Sequence, residues 1–214
     1  MKLSKKIIGL AAATALVAGA GAMAATPATA DSHKGFKQSG KTIISFKKGL
    51  IAALKAEGIT VSVAGAATWN PAKAQVGFPV TGATDDAITH SGTLVFTKGE
   101  TVINIENPTV VTPTPVPETG LPVTATTALG VVPVMNLKHA KLKENCSAKK
   151  NKKTKKWTKK TTVRIQTDVH LTSDPNVIGA LQALLGPAFT ADLGLGQSRT
   201  TLVDSLVSKK KQKC

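Results

Sequence analysis

Alternation with a period of two is the feature that most limits what this chain can become. From Ile59 onward the apolar residues Ile59, Val61 and Val63 alternate with small polar ones, as in a strand with one face buried. The rhythm returns over 74–80, 93–97, 101–107 and 109–112. Asn70-Pro71, Thr81-Gly82 and Lys98-Gly99-Glu100 separate these runs, and the last reads as a hairpin turn. Further strands are predicted at 130–142, 161–171 and 198–207, the first two joined by a long lysine-rich hairpin loop, 149–160. Pro113, Pro115, Pro117 and Pro122 lack a backbone donor and mark an extended loop or edge. The expected fold is mainly β: an antiparallel β-sandwich with two short helices.

The two helices are read from their ends. Ser45 is predicted to cap the first, whose apolar face is Phe46, Leu50, Ile51 and Leu54 and whose stop is Gly58. Ser173 or Asp174 caps the second, Pro175 fits its first turn, and Gly186 with Pro187 ends it. Val177, Ile178, Leu181, Leu184 and Leu185 form its apolar stripe, expected to pack against the sheet.

Residues 1–30 read as an address rather than as structure. Lys2, Lys5 and Lys6 precede an apolar run over 7–22, and Ala28-Thr29-Ala30 supplies small residues for cleavage. This is the pattern of a secretory signal peptide. The run is shorter than the roughly 20 residues a spanning helix needs, and no later segment qualifies. The expectation is a chain exported from Asp31 onward, extracellular or held at the cell wall, and not membrane-spanning after cleavage. Residues 31–40 are expected to be disordered, 41–207 to form one domain, and 208–214 to be a basic tail.

Charge is concentrated. Removing the three signal lysines from the formal +16 leaves +13. Lys149, Lys150, Lys152, Lys153, Lys155, Lys156, Lys159 and Lys160 carry +8 of this, and Lys209, Lys210, Lys211 and Lys213 carry +4. The rest of the body is close to neutral. Two readings of the lysines stay open: a solvated loop that keeps an exported protein soluble, or a grip on an anionic wall polymer or glycan. Trp157 is the only aromatic among them, too little stacking surface for sequence-specific reading of nucleic acid. Cys146 and Cys214, the only cysteines, stand at the outer edges of the clusters. In an oxidising compartment they are expected to form a disulfide, which would set the lysines side by side; two free thiols, or a Cys214 that pairs between molecules, are the alternatives.

Three short motifs resemble the HtaA-type (haem transport associated) domain of actinobacterial haem uptake: Ser45-Phe46, His90-Ser91-Gly92-Thr93-Leu94 and Asn107-Pro108-Thr109-Val110. The resemblance spans about 41–207 and implies a secreted or surface-exposed haem-binding module. It also implies a tyrosinate iron ligand three residues after the Phe, supported by the His of the second motif. That position is Gly49, and the chain has no Tyr. A haem iron would need another ligand, such as His90 with its neutral imidazole nitrogen.

Other chemistry finds little footing. Asp85, Asp86 and His90 match no established metal loop, so no metal site is expected. His139 and His170 read as surface residues and His33 as linker. No nucleophile elbow, zinc-protease motif or phosphate loop is present, and no enzyme is expected. The preferred reading is a non-enzymatic binding module at the bacterial surface with haem as the implied ligand. The competing one is a cell-envelope interaction or structural protein working through its lysines.

Overall fold

A computed structural model describes residues 36–113, 117–118, 120–187, 189–210 and 213–214. Residues 1–30, expected to be a signal peptide, and His33, Pro115 and Lys211 lie outside the described residues. In chain order the elements are β1 (Phe36–Phe46), α1 (Lys48–Ala56), β2 (Ile59–Ala64), β3 (Thr68–Asn70), β4 (Gln75–Ala83), β5 (Ala87–His90), β6 (Thr93–Lys98) and β7 (Thr101–Val111). There follow β8 (Leu121–Thr127), β9 (Gly130–Lys150), β10 (Trp157–Leu171), α2 (Pro175–Leu185) and β11 (Gly194–Ser208).

The sheet is a closed barrel and not the expected sandwich. Strand β7 leads through β5, β4, β1, β11, β10, β9 and β8 back to β7, every pairing antiparallel. A sandwich and a barrel demand the same alternation along each strand. What separates them is whether the last pairing forms, and here Val110 of β7 faces Val123 of β8. Closure leaves few free edges for another chain to pair with.

Closure depends on one strand serving several partners. On one side the first half of β7 pairs with β6 and its last residues with β5, while β8 takes the other side. The changeover falls at Asn107, whose φ is +46°. Its backbone N–H donates to the Gly92 carbonyl at 2.9 Å and its side-chain oxygen accepts from the Gly92 N–H at 3.2 Å. The runs 101–107 and 109–112 are therefore one bulged strand. Strands β2 and β6 continue past β7 as a flap outside the ring.

Several boundaries differ from expectation. β1 begins at Phe36, so residues 36–40 are strand rather than disordered. Ser45 does not cap α1; its hydroxyl accepts from Gln75 Nε2 at 2.9 Å, and the cap position is Lys47, without a side-chain cap bond. Pro122 sits inside β8, one residue beyond the last β7 pair, where a missing donor costs no bond on that side. The lysine-rich loop shrinks to 151–156, because Lys149 and Lys150 belong to β9 and Lys159 and Lys160 to β10.

Other ends are as read. Asp174 accepts from the N–H groups of Asn176 and Val177 at 2.9 and 3.2 Å, with Pro175 at the first position of α2. Lys98 faces Thr101 across the turn Gly99-Glu100.

Candidate functional site

Two groups of residues stand out once the barrel closes: a polar row inside it and an apolar groove beside the helices. The polar row begins at His90. Its Nδ1 lies 2.8 Å from the Pro108 carbonyl oxygen and its Nε2 2.6 Å from Thr42 Oγ1, which lies 2.8 Å from Thr200 Oγ1. A carbonyl only accepts, so Nδ1 carries the proton and Nε2 accepts from Thr42. All three side chains are buried, and burial holds the His90 pKa below its ordinary value, opposed by the bond to Pro108. Both ring nitrogens are engaged within the wall.

The groove lies where α1, α2, β7 and the β8–β9 hairpin meet. Phe46, Leu50 and Ile51 form one side and Leu181, Leu184 and Leu185 another, around a cavity of about 140 Å³. Leu184 (45% exposed), Leu129 (57%) and Val102 (56%) stand at its mouth. Exposed apolar side chains scattered singly need no explanation, but gathered at a groove they mark a binding surface. A second cavity of about 240 Å³, reaching Ala53, Ile59 and Leu193, shares Leu50, Leu54, Leu185 and Phe189 with the first. Lys98 Nζ donates to the Leu185 carbonyl at 3.0 Å, satisfying an end group of α2.

The stripe of α2 was expected to pack on the sheet. Val177, Ile178 and Leu185 are buried, but Leu184 faces the groove mouth. At 100° per residue the five apolar positions fall within one arc of about 120°, with Leu184 at its edge.

The lining is largely apolar, with Asn104 and Thr127 its polar members, and does not fit iron ligation of the implied kind. It carries no His, Cys or Lys among the described residues, and Met135 is its one sulfur donor. Gly49 stands where the resemblance implies the tyrosinate, and a Cβ there would meet no atom within 4 Å.

The remaining candidates are placed elsewhere. His139 Nδ1 is 3.0 Å from Asp168 Oδ2, holding that carboxyl below its usual range. His170 Nδ1 is 3.1 Å from Asp192 Oδ1, and Lys138 Nζ, 2.8 Å from Asp192 Oδ2, is the main cause of the lowered Asp192 pKa. Asp85 and Asp86 are exposed while His90 is buried. No cluster of metal-binding side chains forms among the described residues, and no helix among them is long and apolar enough to cross a membrane.

Cys146 and Cys214 are joined in a disulfide with Cα atoms 5.5 Å apart. Ser208 ends β11 opposite Trp157, which faces Lys150. The disulfide thus holds Cys214 beside β9 at Cys146.

A closed antiparallel barrel with two helices beside an apolar groove is the class this fold defines. The fold is similar to that of the C-terminal domain of HtaA from Corynebacterium glutamicum: 10% identity, a TM-score of 0.50, 81% of this chain and 99% of that one covered. The haem-binding protein HtaB of the same organism matches at 12% identity and a TM-score of 0.47, over 81% of this chain and 98% of that one. No family model and no curated protein matches the sequence.

Proposed function

We propose that this chain is a non-enzymatic binding module that seats a flat, apolar ligand of the tetrapyrrole class in the groove between α1 and α2. The observation that carries the reading is the groove itself, apolar along its wall except at Asn104 and Thr127, with Leu184, Leu129 and Val102 left in solvent at its mouth. Burying such side chains under a ligand gains roughly 25 cal/mol per Å² of apolar surface removed from water. Export to the cell surface belongs to the same proposal and is supported by the lysine start, apolar run and small residues of 1–30.

Haem in this site is held by packing and not by a phenolate. His90 serves the barrel wall, its nitrogens taken by Thr42 and Pro108. The test is a paired titration with haemin and iron-free protoporphyrin. Affinities within about threefold of each other are expected, each cut at least tenfold by Leu184→Asp with Leu129→Asp. Failure of both ligands to bind at micromolar protein overturns the reading.

A further inference from the structure

Cations scattered along the sequence meet on the outer face of the barrel wall. Lys41 of β1 lies opposite Thr201 of β11, Thr201 opposite Arg164 of β10, and Arg164 opposite Lys143 of β9. Two residues along, the next row of this face runs Ile43, Arg199, Gln166, Lys141. Directly opposed residues project to the same side, and residues two apart share a face. The row between them holds Thr42, Thr200 and Ile165, all buried in the barrel. Lys41, Lys141, Lys143, Arg164 and Arg199 are exposed and therefore share the outer face. With strands about 4.8 Å apart and like-facing residues about 6.8 Å apart, each cation sits within a Debye length of the next.

None of the five is in an ion pair among the described residues; the pairs there involve Lys138, His139 and His170. The like-facing rows from Lys143 to the hairpin tip contain no carboxylate, Glu144 and Asp204 falling in the alternate rows, and Lys160 and Lys149 prolong the strip. Asp168 closes the other end, where it accepts from Gln197. Arg164 directly opposite Lys143 is a like-charge pair, which weakens a sheet. Gly77 on β4 leaves the space that the Lys41 stem occupies, since a Cβ there would overlap it.

We propose that this face binds a linear phosphodiester polymer without bases, laid across β1, β11, β10 and β9. Arg164 and Arg199 offer planar forks that match phosphate oxygens, and the lysines act as point charges. The strip carries no aromatic ring, so neither a nucleobase nor the flat face of a sugar has anything to stack on. Charge and its spacing are what remain to be read. The proposal does not rest on the groove reading, since none of these residues lines the groove.

The experiment measures binding of lipid-free poly(glycerol phosphate), with heparin and oligothymidylate as comparison probes, over about 50 to 200 mM salt. One variant carries Lys41, Lys141, Lys143, Arg164 and Arg199 all changed to Gln; a second carries Lys152, Lys153, Lys155 and Lys156 changed to Gln. The face variant is expected to bind poly(glycerol phosphate) at least tenfold more weakly, with a salt slope reduced by about three or more, and the tip variant less than about threefold more weakly. Its melting temperature should be no lower than the parent's, because an opposed like-charge pair is gone. Should it fail to fold, Arg164→Gln and Lys143→Gln singly must each lower the slope by about one. Unchanged binding by the face variant or, in that case, by both single variants overturns the proposal. So does equal or tighter binding of heparin or oligothymidylate through the same cations.

Discussion

Thr42 and His90 stand on strands separated by β4, yet their side chains meet inside the barrel at 2.6 Å. The bond ties β1 to β5 across an intervening strand, and Thr200 extends it to β11. No buried side-chain polar atom among the described residues lacks a partner. A polar row inside a barrel stabilises only while every member is satisfied.

This row makes stability depend on pH in a defined direction. His90 is held neutral by burial, so its folded pKa lies below the unfolded value of 6.5. Between the two values the unfolded chain binds more protons, so stability rises with pH there. It is fully present above about 6.5 and is lost as pH falls toward the folded pKa. Thermal melts from about pH 8 to 5 should show this decline, and His90→Gln should flatten it. A parent and variant with parallel pH profiles would count against it.

Removing the His90 ring altogether strands Thr42 and the Pro108 carbonyl and leaves a cavity. His90→Ala should cost roughly 2–4 kcal/mol in urea unfolding. Porphyrin affinity should change less than about threefold where the variant is folded, since His90 is outside the groove lining.

Gly49 offers a gain-of-function test. A side chain there enters open space, and Tyr restores the residue type that the family resemblance implies. Gly49→Tyr should tighten haemin binding at least tenfold without tightening iron-free protoporphyrin, and should add a phenolate-to-iron charge-transfer band. Equal gains for both ligands would mean that Tyr contributes packing only.

The disulfide encloses 68 residues of separation, including β10, α2 and β11. In the chain-entropy model a loop of that size stabilises by roughly 4 kcal/mol. Reduction, or Cys146→Ser with Cys214→Ser, should lower the melting temperature by at least about 5 °C. A shift below about 2 °C would show that the tail adds little to the fold.

What could be read in advance was local. The start and stop of α2 rest on Asp174, Pro175 and Gly186, and the β6–β7 hairpin on Gly99, all within a few residues of the feature they specify. Ser45 misled because a cap-type residue also suits a strand end, where its hydroxyl meets Gln75. Barrel closure was hidden because it needs β1 beside β11 and β7 shared among three neighbours, pairings invisible to period counting. The groove was hidden because exposure of Leu184 depends on what lies across from α2. The basic face was hidden by arithmetic: a nearly neutral body sum says nothing about segregation, and register alone brings Lys41, Arg164 and Lys143 into one row.

The position of β1 between β4 and β11 sets an order of events during synthesis. A ring whose first strand needs its last cannot close until the ribosome has released nearly the whole chain. Contacts this distant in sequence form slowly, because the intervening segment must be brought round before any pairing repays it. The nascent protein therefore spends its elongation without a finished barrel. Barrel closure and the Cys146–Cys214 bond both wait on the last strand and the residues after it.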